Sequence, residues 1–249
     1  MPHMEYEFNG LKIPFDENWN RIAISLSGGA DSALLAYILC MFIKDKNPKA
    51  KIHVISHIRC WKTKPWQQYD SRRVYEYLVN KFSYLVWQRH VNFIAPELEY
   101  GSIGATLKDE YNKQVSSDNI QIRAFSEYIC HHYKIDAYYN AVTKNPKVKL
   151  LGAMHERDIE ADAGNTHLRF MKHMNTYAVH PFRFVTKDWI VKQYYHLDIQ
   201  ELFQINRSCE GEFANINYTN YKDGDKVPLC GTCFWCQERS WAVNAVLQS

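Results

Sequence analysis

The sequence predicts an α/β fold: a parallel sheet flanked by helices, followed by a small cysteine-rich C-terminal region. Three observations lead there. Ile22 to Leu26 is a β-branched run that stops at Ser27-Gly28-Gly29 and gives way to an apolar, helix-length segment from Ala33 to Ile43. Asn47-Pro48 closes that helix, and Lys51 to Ile58 follows as a second short apolar run, so two strands joined by a helix make a βαβ unit with parallel pairing. Beyond Ser208 the apolar periodicity gives way to Asn, Tyr, Gly and Cys, which separates residues 208–249 from 1–207.

The remaining elements follow in order. Val74, Leu78 and Leu85, with their aromatic neighbours, suit a helix over Ser71 to Tyr84, and Val91 to Ala95 reads as a third strand. Ser117 or Asp118 can cap a helix running to about His131, with Ile122, Phe125, Ser126 and Ile129 on one face. Val148 to Ala153 is a further buried-strand pattern ending in Gly152, followed by the charged loop His155-Glu156-Arg157-Asp158. Thr186 caps a helix over Lys187 to His196, and a shorter one covers Glu201 to Asn206. There is no internal repeat, low-complexity tract or Pro/Gly-rich linker.

Composition sets the outer limits. With 249 residues, 46% of them hydrophobic, the chain has enough apolar material for a core without covalent staples. A net charge of +3 is too mild to indicate nucleic-acid binding, which normally shows a clustered basic face. No segment approaches the roughly 20 apolar residues that span a bilayer, and Met1 to Gly10 lacks the apolar stretch of a secretory signal. The expectation is a cytoplasmic protein without a membrane partner, acting on a small molecule. Homodimerisation is compatible with this reading.

Ser27-Gly28-Gly29-Ala30-Asp31-Ser32 carries the first chemical signal. Paired glycines let the backbone approach a ligand closely, and the following helix directs free N–H groups and the positive end of its dipole into the same space. That is an anion site. Ser27 and Ser32 add hydroxyl donors, whereas Asp31 beside an anion makes sense when a divalent metal bridges the two. No lysine follows the glycines and the string is not G-x-G-x-x-G, so the usual P-loop and dinucleotide motifs do not apply.

The second signal is Cys230-Gly231-Thr232-Cys233-Phe234-Trp235-Cys236, with Cys209 upstream across a long loop. Reduced thiols at x2 spacing converge on one ion, and four thiolates complete a tetrahedral, closed zinc site. Iron–sulfur ligation is the rival, although its usual spacing continues with a further nearby cysteine and proline. The odd total of seven cysteines argues against a disulfide framework. Cys40, Cys60 and Cys130 stand apart and read as inert.

The S-G-G-x-D-S string after a first strand resembles the PP-loop ATP pyrophosphatases. Together with the Cys…Cys-Gly-x-Cys-x2-Cys cluster, it resembles the 7-cyano-7-deazaguanine synthase family within that superfamily. Leu151-Gly152 leading to Glu156 and Asp158, His180-Pro181-Phe182 followed by Thr186-Lys187-Asp188-Trp189, and Leu197-Asp198 extend the likeness from about Ile22 to Val243. The resemblance implies a Rossmann-like, adenine nucleotide alpha-hydrolase-like domain over 1–207, with a four-cysteine zinc region over 208–249 packed on it. It places the ATP phosphates along Leu26, Ser27, Gly28, Gly29, Ala30, Asp31, Ser32, Ala33, Leu34, Leu35 and Ala36, with Mg2+ near Asp31 and Zn2+ on Cys209, Cys230, Cys233 and Cys236. The implied reaction makes a nitrile from 7-carboxy-7-deazaguanine, ammonia and ATP in queuosine or deazaguanine biosynthesis, through an adenylated carboxylate.

Asp31 and Ser32 are the expected catalytic residues in the loop. Lys187 and Arg123 are candidates for the cation that stabilises phosphate charge, and each reads equally well as a solvated side chain on a helix surface. The sequence departs from the family where Ser117-Asp118-Asn119 replaces a Gly-Arg-Asn string, and where the gap from Cys209 to Cys230 is longer than usual. An aromatic-rich stretch with Trp61, Trp66, Tyr69 and Trp87 does not align with the family. These departures touch the substrate end, so a PP-loop enzyme that thiolates tRNA or conjugates a deazaguanine-type base to a macromolecule remains the alternative; a nucleic-acid-binding zinc module would have no use for the loop. His53 and His57, four apart on one strand, lie roughly 13 Å from each other and cannot share one ion. His131, His132, His155, His167 and His173 form no ligand pattern.

Overall fold

A computed structural model describes residues 5–59, 64, 66–98, 106–108, 114–146, 168–209 and 229–248. The chain opens with a hairpin, β1 (Glu5–Phe8) and β2 (Leu11–Pro14). The central unit then runs β3 (Arg21–Ser25), α1 (Ala30–Lys46), β4 (Lys51–Ile58), α2 (Gln67–Lys81) and β5 (Val86–Phe93). Next come the short pair β6 (Thr106–Lys108) and β7 (Gln114–Ser116), α3 (Ser117–His132) and β8 (Ala137–Tyr139). The last elements are β9 (Leu168–Met171), β10 (Thr176–Val179), α4 (Lys187–His196), α5 (Gln200–Ile205) and α6 (Phe234–Leu247).

Six strands form one sheet in the order β5-β4-β3-β8-β10-β9. All pair in parallel except β9, which runs antiparallel to β10 at the edge. The α/β, Rossmann-like expectation therefore holds. Seven of the eight residues of β4 are buried, as befits a strand covered on both faces, and that burial explains its nearly unbroken apolar pattern. Helix α1 is sheathed in core along most of its length, from Ala33 to Ile43. The strand order reverses between β3 and β8, because β4 and β5 extend one way and β10 and β9 the other. In such sheets the crevice beyond the carboxyl ends at the reversal receives ligands. The Ser27–Ser32 loop sits there, directly after β3.

Several expectations need correction. The third strand is β5 at Val86–Phe93 rather than Val91 to Ala95: it pairs with all of β4, but its Gln88, Arg89 and Asn92 conceal the apolar pattern of an edge strand. Helix α2 starts at Gln67 and ends at Lys81, earlier at both ends than the expected Ser71 to Tyr84. The hairpin β1–β2 and the strands β8, β9 and β10 carry too few residues each to register as patterns. The strand expected at Val148 to Ala153 and the loop from His155 to Asp158 lie outside the described residues, as does Cys60. At the C-terminal end the structure has a regular helix, α6, for which the sequence pattern gives no element. No helix among the described residues is long and apolar enough to cross a membrane.

Candidate functional site

The Ser27–Ser32 loop is knitted by its own hydroxyls. The Gly29 N–H donates to Ser27 Oγ at 3.3 Å, Ser32 Oγ donates to the Gly29 carbonyl at 3.1 Å, and the two serine hydroxyls lie 3.1 Å apart. Gly28 has φ +85°, and a Cβ there would stand 2.6 Å from the backbone nitrogen of Ser71, so glycine is required both for the turn and for the approach of α2. A Cβ on Gly29 would meet Ser208 Oγ at 2.7 Å, and the Arg207 N–H donates to the Gly28 carbonyl at 2.7 Å. The loop is thus held between α2 and the segment that leads into Cys209. Leu34, Leu35 and Ala36 lie fully buried in the core, where they anchor α1 beneath the loop.

Of the two proposed cations, the fold brings one to this loop. Lys187, in the first turn of α4, is 2% exposed, and its Nζ lies 2.5 Å from Asp31 Oδ2 and 3.6 Å from Glu238 Oε2. It is not a solvated surface lysine. Arg123 is exposed on α3 and has no hydrogen bond or ion pair with another described residue. Asp31 Oδ1, in contrast to Oδ2, is buried with no hydrogen-bond partner among the described residues. Ala30 at the helix start is fastened by Tyr194 of α4, whose hydroxyl donates to its carbonyl at 2.6 Å.

The four cysteines converge as expected. The sulfurs of Cys209, Cys230, Cys233 and Cys236 all lie within 4.8 Å of one another, and those of Cys230 and Cys236 are 3.8 Å apart. A tetrahedral ion with metal–sulfur bonds of roughly 2.3 Å sets its thiolates roughly 3.8 Å apart, so the spacing suits a single ion. A multi-iron cluster, with each thiolate on a separate iron, would spread them further. Gly231 adopts φ +75°, which turns the knuckle, and Cys233 caps α6 so that Cys236 projects from its first turn. Burial disfavours the Cys230 thiolate, but hydrogen-bond donors from Cys233 and Thr232 outweigh it and hold this thiol down at about 6. Burial pushes the isolated Cys130 thiol up to about 12 and raises the Cys40 thiol well above its ordinary value, as inert core thiols require.

Sequence reasoning missed three residues that join the two sites. Glu238, two positions after Cys236 and fully buried, reaches Lys187 from the metal side. Arg207 lays its guanidinium 4.1 Å from the Trp66 ring centroid, and Trp66 Nε1 donates to the Cys209 carbonyl at 3.3 Å. Asp70, at the start of α2, lines a cleft with Ser27, Trp66, Arg207 and Cys209. Neither Glu238 nor Asp70 carried a signal in the sequence, since each is a single charged residue in a helix.

The two buried histidines of β4 serve packing. His53 Nδ1 lies 3.0 Å from His90 Nε2, and burial lowers the His53 pKa to about 4. His57 stands between Ser126 and Asn92, in an arrangement that resembles a hydrolytic triad. Gln121 donates to Asn92 Oδ1, which leaves the Asn92 amide to donate to His57 Nδ1. The Nε2 proton then points at Ser126, the reverse of what a general base needs.

No protein-family model matches this chain, and no characterised protein matches it by sequence. Among solved structures, the U34-tRNA thiolase NcsA from Methanococcus maripaludis, with its [4Fe-4S] cluster, is 14% identical with a TM-score of 0.45. That alignment covers 72% of this chain and 57% of the thiolase, so the chain spans little more than half of that protein. The NMN synthetase from Francisella tularensis is 14% identical with a TM-score of 0.42 over 92% of this chain and 85% of that one. Overlaps this low transfer neither protein's activity to this chain.

Proposed function

We propose that this protein is an ATP-dependent enzyme that adenylates the carboxylate of a 7-deazaguanine base and amidates it with ammonia, yielding 7-cyano-7-deazaguanine. The observation that carries the reading is the buried Lys187 against Asp31 of the S-G-G-A-D-S loop. A cation held beside backbone N–H groups at a helix start, at the reversal point of a parallel sheet, is what stabilises charge developing on transferred phosphate oxygens. The unpartnered Asp31 Oδ1 fits a magnesium ion bridging to those phosphates.

The chemistry follows from the substrate. A carboxylate is a poor electrophile; attack by its oxygen on the α-phosphorus expels pyrophosphate and leaves a mixed anhydride. Ammonia displaces AMP to give the amide. Activation of the amide oxygen by a second ATP, followed by loss of the activated oxygen and two N–H protons, gives the nitrile. The chain's part is to bind, orient and neutralise charge. The four thiolates would hold zinc with every coordination position filled, so the ion has a structural part only.

The test is incubation of the zinc-loaded protein with ATP, magnesium, ammonium and 7-carboxy-7-deazaguanine, followed by mass spectrometry. Amide, then nitrile, is the expected product. ATP binding without either product would refute the substrate and favour a PP-loop enzyme acting on tRNA.

A further inference from the structure

Lys187 faces two carboxylates where one would match its charge. Its Nζ lies 2.5 Å from Asp31 Oδ2 and 3.6 Å from Glu238 Oε2, and the Glu238 side chain is 0% exposed. Burying a carboxylate is costly even beside a partner, so neutralising the lysine does not explain the second acid. Arg239, the next residue of α6, directs its guanidinium to Asn206 Oδ1 at 2.6 Å and to the Phe203 carbonyl at 2.5 Å. Asp31, Lys187 and Glu238 together thus carry one negative charge in excess, and Asp31 Oδ1 beside them is buried with no hydrogen-bond partner among the described residues. That combination suits a divalent cation, but Lys187 already occupies Oδ2 of the same carboxylate. An ammonium and a divalent ion on one carboxylate repel each other, so the lysine has to give way. Released with no other acceptor, it would be a charge stranded in the interior.

We propose that Glu238 is a positioning residue of this site: it offers Lys187 a second carboxylate, so that the ammonium can leave Asp31 for the nucleotide phosphates when magnesium arrives and still remain at the loop. The inference rests on the function proposed above, since it takes Asp31 as the magnesium ligand and Lys187 as the phosphate partner. Lysine suits the exchange because its ammonium swings on a flexible four-carbon stem, which the rigid fork of an arginine does not allow. Glu238 is the fixed point, set in α6 two positions after Cys236. In the nucleotide-free protein the contact between Lys187 and Asp31 covers an oxygen that the metal needs. Glu238 loosens that hold by sharing the ammonium, and its charge adds to the pull on the divalent ion.

The experiment titrates magnesium against the zinc-loaded full chain and follows binding of a fluorescent, non-hydrolysable ATP analogue, with zinc content and urea melts in parallel. Glu238→Gln keeps the shape and removes the charge. It is expected to raise the magnesium concentration for half-maximal binding by about tenfold or more, the effect of one unit charge removed close to a divalent ion. Affinity for the analogue without magnesium is expected to stay level or tighten, because the site then repels the phosphates less. Glu238→Asp keeps the charge and is expected to show the wild-type magnesium requirement; it carries the test alone if the glutamine variant does not fold. An unchanged requirement in Glu238→Gln overturns the inference. So does an equal rise in both variants, or weaker binding with and without magnesium alike, either of which marks a packing role. Wild-type binding that is indifferent to magnesium overturns it together with the metal role of Asp31, and leaves the use of ATP standing. No binding of the analogue by wild type under any condition refutes the proposed function and the inference together.

Discussion

Replacing Asp70 by Asn should stabilise the folded protein at neutral pH, and by an amount that grows with pH. Asp70 titrates near 3.8 when exposed and at about 6 in the fold, because burial penalises the carboxylate more than Arg73 and Arg207 favour it. A carboxyl with a raised folded pKa binds more protons folded than unfolded between those values, so its contribution to stability falls as pH rises through that window. With each pKa unit worth 1.36 kcal/mol, the penalty should be small at pH 4 and reach about 3 kcal/mol by pH 7. Asparagine keeps the shape without the charge. Urea denaturation of both proteins at pH 4.5 and pH 7 isolates the effect, since every other titrating group cancels in the difference. The variant's advantage should widen by about 2 kcal/mol between the two pH values. A difference independent of pH would refute the claim that Asp70 is an ionised, under-satisfied group in the fold.

Other perturbations probe the joints of the site. Gly28→Ala puts a Cβ 2.6 Å from the Ser71 nitrogen at φ +85°, and should cost several kcal/mol in urea melts or yield no soluble protein, as a backbone neighbour cannot move aside. Lys187→Met leaves a half-buried Asp31 and a fully buried Glu238 without their lysine and should destabilise by about 3–5 kcal/mol; adding Glu238→Gln should recover part of this, and additive losses would speak against the pairing. Cys233→Ser, or a strong chelator, should release one zinc per chain by atomic absorption and lower the melting temperature sharply; an unchanged melt would exclude a structural ion.

How much of this was legible in the sequence depends on the range of the interactions. The β3–α1–β4 unit was readable because periodicity and the glycine pair are local, and the loop's chemistry came with it. The cysteine set was readable because x2 spacing is itself a geometric statement, with Cys209 joining it by loop closure. Lys187 could not be decided at that level. Whether a lysine at a helix start is solvated or buried against a carboxylate 156 positions earlier is a property of packing, and α4 had first to be seen lying beside α1. Asp70 and Glu238 were invisible for the same reason: each is a charged residue in a helix, and only the three-dimensional structure removes the water from around them.

These buried charges link the four-cysteine cluster to the Ser27–Ser32 loop. Helix α6 starts at Phe234 with Cys233 as its cap, and Glu238 lies on it two positions after Cys236, so whatever fixes the four thiols also fixes the carboxylate that reaches Lys187. On the other side, Cys209 follows Arg207, whose N–H donates to the Gly28 carbonyl, and Ser208, whose hydroxyl stands against Gly29. An ion held by the four thiols would therefore pin both flanks of the loop: one by a backbone hydrogen bond, the other through a lysine. A metal that takes no part in the chemistry can in this way be required for it. Loss of zinc should then weaken ATP binding before the sheet melts, since the sheet's core lies among β3, β4 and α1, away from the thiols. ATP affinity and far-ultraviolet circular dichroism, followed together during chelation, separate the two events; simultaneous loss would mean that the metal supports the fold as a whole rather than the loop.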